Sequence, residues 1–208
     1  MRASFRMSFM KQSLEIWMMV VVAGMSALTG IGCRRDPVER GLGALAGGNP
    51  ALAESLLAGA ADSDPDNPTL HANLALARMK LGQVDAALSG FRRAADLSPD
   101  DPRPLEFMAA MAAGESRWRM SQELLYEAAR RDSRSPRILT ALAIAEGRTS
   151  GPQTAAARLA QVLTIAPNYS PAIFNLAILQ MESLNQPEEA ARLLERYISL
   201  SSDAEHLD

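Results

Sequence analysis

The chain has 208 residues, with 48% hydrophobic residues, only 5% aromatics and a net charge of −3. That length serves one domain or two small ones, and a chain rich in Ala and Leu without strand-like alternation of Val, Ile or Thr in its second half points to an all-helical protein. Arg2, Arg6 and Lys11 against Glu15 give +2 before Cys33, so the remainder carries −5 and nucleic acid is not expected as a partner.

The basic segment is followed by an uncharged stretch, Ile16 to Gly32, and then by Cys33, the only cysteine. One cysteine allows neither an intrachain disulfide nor a multi-thiolate metal site. As a helix the stretch would reach about 25 Å at ~1.5 Å per residue, short of a hydrocarbon core of roughly 30 Å. Residues 1–32 therefore read as a secretory signal. Thr29-Gly30-Ile31-Gly32-Cys33 resembles the lipobox of bacterial lipoproteins, although Gly30 stands where that family usually has Leu. The resemblance implies lipid attachment at Cys33, cleavage before it, and anchorage in the cell envelope facing the periplasm. Arg34 and Arg35 follow the cysteine with no Asp, which by the same resemblance favours the outer membrane. The alternative is an uncleaved signal anchor, in which Cys33 is an ordinary small apolar residue.

From Cys33 to residue 204 one period runs through the chain. Ala53, Ala87, Ser121 and Ala155 are spaced evenly by 34 residues, as are Leu57, Phe91, Leu125 and Leu159, and Pro65, Pro99, Ser133 and Pro167. Gly41, Ala75, Ala109, Ala143 and Ala177 form a fourth series in the same register. The pattern resembles the tetratricopeptide repeat. We divide the region into repeats 34–67, 68–101, 102–135, 136–169 and 170–204, with 205–208 as a polar tail.

Small residues at Ala75, Ala87 and Ala94 allow two antiparallel helices to approach closely, and Leu74 and Phe91 fill the space between neighbouring pairs. Gly48 and Gly82 suit the turn between helices. Pro68, Pro102, Pro136 and Pro171 suit first-turn positions that need no amide donor. The resemblance implies an all-α, right-handed superhelical solenoid of about five helix-turn-helix repeats.

Other motifs have ordinary readings. Asp62-Ser63-Asp64-Pro65-Asp66 lacks the glycine and terminal Glu of a calcium loop and reads as a capped turn. The glycines from Gly41 to Gly47 follow no strand and have the wrong spacing for a dinucleotide loop. His71 and His206 have no nearby nucleophile or ligand cluster. Trp118, between Arg117 and Arg119, reads as a packing residue past a turn. No enzyme activity, cofactor or metal is expected.

By the family resemblance, first helices of successive repeats line a concave groove. Carried over residue by residue, the groove includes Asn73, Leu76 and Lys80, then Arg103 and Phe107, then Arg137, Ile144 and Arg148, and finally Phe174, Asn175 and Ile178. It should be apolar with basic spots, suited to a protein segment carrying acidic residues. The carboxylate clamp known in one subgroup is not reproduced, because Phe107 occupies the place of its arginine. The expected function is a non-catalytic adaptor or scaffold for protein partners at the envelope, including assembly of an envelope complex. A self-associating structural protein and an accessory subunit of an envelope enzyme remain as alternatives.

Overall fold

The computed structural model describes residues 36–205. Cys33, the expected signal and His206 lie outside them. Among the described residues there are ten α-helices: α1 (Pro37–Ala46), α2 (Pro50–Ser63), α3 (Pro68–Lys80), α4 (Val84–Leu97), α5 (Arg103–Gly114), α6 (Trp118–Arg131), α7 (Pro136–Thr149), α8 (Pro152–Ile165), α9 (Ser170–Glu182) and α10 (Pro187–Glu205). No strand occurs among the described residues. None of these helices is long and apolar enough to cross a membrane. The chain forms two compact units, divided between Ala94 and Ala95.

Helix starts follow from local chemistry. Asp36, Asn49 and Asn67 accept hydrogen bonds from backbone amides of the first turns of α1, α2 and α3, each ahead of a proline. Ser135 does the same for α7, where Ile138 donates to its hydroxyl. These side chains satisfy amides that have no partner inside the helix, and the proline has no amide to satisfy.

Within each hairpin the turn contains one residue with positive φ: Gly48, Gly82, Ser116, Gly151 and Asn185. Gly48 and Gly82 accept this conformation without a β-carbon clash. Ser116 follows Gly82 by one repeat length and takes the same left-handed geometry at φ 60° despite its side chain. In the fourth hairpin α7 runs on to Thr149, only Ser150 and Gly151 separate it from α8, and the position moves to Gly151.

In the first unit, the small residues of the repeat mark places where helices nearly touch. A β-carbon added at Gly41 in α1 would lie 2.7 Å from Leu57 Cγ in α2. One added at Gly90 in α4 would lie 2.9 Å from the β-carbon of Ala75 in α3. Ala53, Leu57, Ala75, Ala87 and Phe91 are fully enclosed. Each large apolar side chain removed from water contributes roughly 1.5–3 kcal/mol.

The second unit repeats the scheme. Leu139 and Ala143 of α7, Leu159 and Val162 of α8, and Ala172 and Leu176 of α9 form one buried cluster. A hairpin that could not bury its apolar face alone is thus covered by the next one. All members of the Ala87, Phe91 and Ala75 series that fall in this unit are also buried up to Leu159 and Ala177, whereas Pro99, Ser133 and Pro167 are exposed.

Arginines on second helices reach back to the turn that precedes their hairpin. Arg93 donates to Asp66 Oδ1 at 2.8 Å, and Arg196 donates to Pro167 O at 2.7 Å and Asn168 Oδ1 at 3.2 Å. Arg131 donates through one nitrogen to the carbonyls of Ala95, Ser98 and Asp101.

Candidate protein-binding face

The residues expected to line a groove all sit on first helices or their ends, but their environments differ. In the first unit, Asn73 of α3 is buried and donates to Thr69 O at 2.8 Å. Leu76 is buried as well, so both belong to the packed side of α3 and offer almost no surface to a ligand. This corrects the expectation for these two positions. Asn73 is committed within its own helix and Leu76 to the core, and only Lys80 of the three is exposed.

The basic spots need a second correction. Arg103, at the start of α5, grips Asp101 with Nε 2.9 and 3.0 Å from its two oxygens and Nη2 2.8 Å from Oδ2. Burial pushes the Asp101 carboxyl up, but the hydrogen bonds and charge of Arg103 prevail and hold it below its ordinary value. Arg137, on α7, is half-buried and ion-paired with Glu106 of α5. Two of the three expected arginines are therefore neutralised by the chain's own acids. Arg148 differs: it is exposed, with its guanidinium 5.2 Å from the centre of the Trp118 ring. A cation over an aromatic face keeps its charge available to solvent.

The apolar part of the expectation fares otherwise. Ile144 of α7 and Met181 of α9 are 39% and 48% exposed, and Phe107 of α5 and Ile178 of α9 are half-buried. Phe174 packs at a tilt on Tyr197 of α10, centroids 5.3 Å apart. Asn175 donates to Pro171 O at 2.7 Å, the same return to its own helix that Asn73 makes. The apolar residues left accessible on α5, α7 and α9 are thus Phe107, Ile144, Ile178 and Met181, with Arg148 an exposed cation one turn from Ile144.

Two buried carboxylates dominate the electrostatics of this unit. Glu146 of α7, 1% exposed, accepts from Arg158 Nε at 3.1 Å and Nη2 at 2.7 Å and from the Tyr126 hydroxyl at 2.7 Å. Burial raises its pKa, yet these hydrogen bonds outweigh burial and leave the carboxyl below its ordinary value. Glu106 is pushed up to about 7, because burial outweighs the attraction of Arg137. Burial likewise lowers Arg137. Both shifts say that desolvating this pair costs more than its mutual attraction recovers.

Sequence reasoning missed the Glu146 cluster. The signal was present, since Glu146 falls among Leu142, Ala143 and Ala145 in a buried run. An acid there requires a partner, but Tyr126 and Arg158 are 20 and 12 residues away and are supplied by α6 and α8. Among the described residues no group of three or more His, Cys, Asp or Glu could hold a metal ion. His71, half-buried, places Nε2 2.7 Å from Pro65 O and braces a turn.

No curated protein matches the sequence. Solved structures do match in fold. One described as MamA superposes with a TM-score of 0.69 at 12% identity, covering 85% of this chain and 99% of that one. MamA from Desulfovibrio magneticus RS-1 gives 0.69 at 14% identity over 80% and 94%. PilF of Pseudomonas aeruginosa gives 0.68 at 21% identity over 78% and 74%. The family model described as tetratricopeptide repeat matches residues 44–111 and 152–206, more than half of the chain. With helical hairpins across the described residues and the 34-residue series each held in one environment, the chain belongs to the tetratricopeptide repeat family.

Proposed function

We propose that this protein is a non-catalytic adaptor that captures a protein partner on the first-helix face of its second unit and is held at the cell envelope by a lipid on Cys33. One observation carries the binding reading: Ile144 and Met181, both on first helices, expose large apolar side chains, and Phe107 and Ile178, also on first helices, are only half-buried. Apolar side chains left exposed on a helix whose neighbours are packed suit an aliphatic segment of another protein. Arg148 adds a preference for an acidic residue in that segment. The pattern of residues up to Cys33 supports the envelope reading, with attachment facing the periplasm and the outer membrane favoured. Similarity to MamA and PilF adds the fold alone.

Photo-crosslinking tests the face. A photoreactive amino acid at position 144 or 178 should yield adducts to a discrete partner in living cells, and one at Glu123, exposed on second helix α6, should not. Arg148→Glu should reduce the adducts most at low salt, because the attraction is screened as ionic strength rises. Equal adducts at all positions would reject the face. Adducts only to copies of the chain itself favour a self-associating structural protein, and adducts to an envelope enzyme favour an accessory subunit. Metabolic labelling with a fatty-acid analogue tests the anchor, since Cys33→Ala should abolish it.

A further inference from the structure

The Glu106–Arg137 pair joins residues 31 apart, from the first helices of two successive hairpins. Its geometry is lopsided. The side chain of Glu106 is 11% exposed and that of Arg137 is 26% exposed. Glu106 Oε2 takes the arginine, while Oε1 is buried with no hydrogen-bond partner in the protein. A buried carboxylate with one oxygen unsatisfied is an expensive anion, and a proton removes that expense. The contrast with Glu146 is direct, for both oxygens of that residue are satisfied.

The other charged and titratable groups acting on this site are few. Asp101 and Arg103 stand at the approach to α5, Asp132 follows α6, and Tyr169 precedes α9. Asp101 and Asp132 both disfavour a second negative charge at Glu106. Asp101 is itself occupied by Arg103, so it cannot take over Arg137 without giving up that fork.

We propose that Glu106 is a proton-sensitive joint between the third and fourth hairpins: deprotonated, it holds Arg137 and ties α5 to α7, and protonated, it lets Arg137 go. The loss of one ion pair loosens the start of α7 against α5 without exposing the apolar contacts beneath. This joint stands whether or not the face carries a partner.

The test follows Glu106 directly in the whole chain. With carbon-13 at the glutamate side-chain carboxyls, the Glu106 signal, assigned by its absence in Glu106→Gln, should titrate with a midpoint of about 7. Arg137→Gln should raise that midpoint by about 1–3 pH units, because the cation paired with the carboxylate, which pulls it down most, is removed. Amide exchange in the first turn of α7, corrected for its intrinsic pH dependence, should slow between pH 6 and 8 in the wild type and show no such step in Glu106→Gln. Circular dichroism verifies that both variants remain helical. A wild-type midpoint near the ordinary 4.5, an unmoved midpoint in Arg137→Gln, or the same exchange step in Glu106→Gln would each overturn the proposal.

Discussion

Glu146 and Glu106 lie on first helices of the same unit, both are largely enclosed, and both face an arginine from another helix, yet their carboxyl groups shift in opposite directions. Glu146 receives two nitrogens of Arg158 and the Tyr126 hydroxyl, so each oxygen is satisfied. Glu106 receives Arg137 on one oxygen and nothing on the other. The difference teaches that a counter-charge alone does not stabilise a buried anion. The remaining lone pairs must also be satisfied, or the cost of leaving water wins.

Three substitutions sharpen that contrast, and chemical denaturation read by its midpoint measures all of them. Glu146→Gln should be the most damaging, at roughly 3 kcal/mol, since it leaves the Arg158 guanidinium partly buried beside a neutral amide. Tyr126→Phe removes one neutral-to-charged hydrogen bond from the same carboxylate and should cost about 1.5 kcal/mol. Glu106→Gln should change stability by less than about 1 kcal/mol at pH 8, because the amide loses the ion pair but also sheds a poorly solvated charge. If Glu106→Gln proves as damaging as Glu146→Gln, the unsatisfied oxygen has no energetic weight and the contrast fails.

The pH dependence separates the two residues further. Glu146 has a lowered folded-state pKa, so the stability it supplies is present above the ordinary carboxyl value and is lost as pH falls through the lowered one. Glu106 has a raised one, so its contribution is full below 4.5 and is lost as pH rises through about 7. Between pH 5 and 8, wild-type stability should therefore fall relative to that of Glu106→Gln, whereas Glu146→Gln should narrow its deficit only at acid pH.

The sequence exposed the parts of the fold that repeat. Ala53, Ala87, Ser121 and Ala155 are all buried at the same place in successive hairpins, and a 34-residue spacing records that without any knowledge of three-dimensional contacts. Gly48 and Gly82 announced their turns for the same reason. Ser116 did not, because a serine carries no preference for the left-handed region and reveals itself only by its register with Gly82. The candidate face was legible in part. Ile144 and Ile178 keep accessible surface, but Leu76 and Asn73 are consumed by packing specific to the first unit. The acid partners of Arg103 and Arg137 were hidden for different causes. Asp101 sits in a turn whose backbone aims it at Arg103, and Glu106 meets Arg137 only after two hairpins have stacked.

The arginine braces carry a consequence for how freely the turns between hairpins can change in sequence. Arg131 grasps the main-chain oxygens of Ala95, Ser98 and Asp101, and Arg196 takes that of Pro167. A main-chain oxygen is present whatever side chain the residue bears. Substitutions in these turns therefore leave the handholds in place, so the connecting segments are free to drift in composition while the arginines remain fixed points.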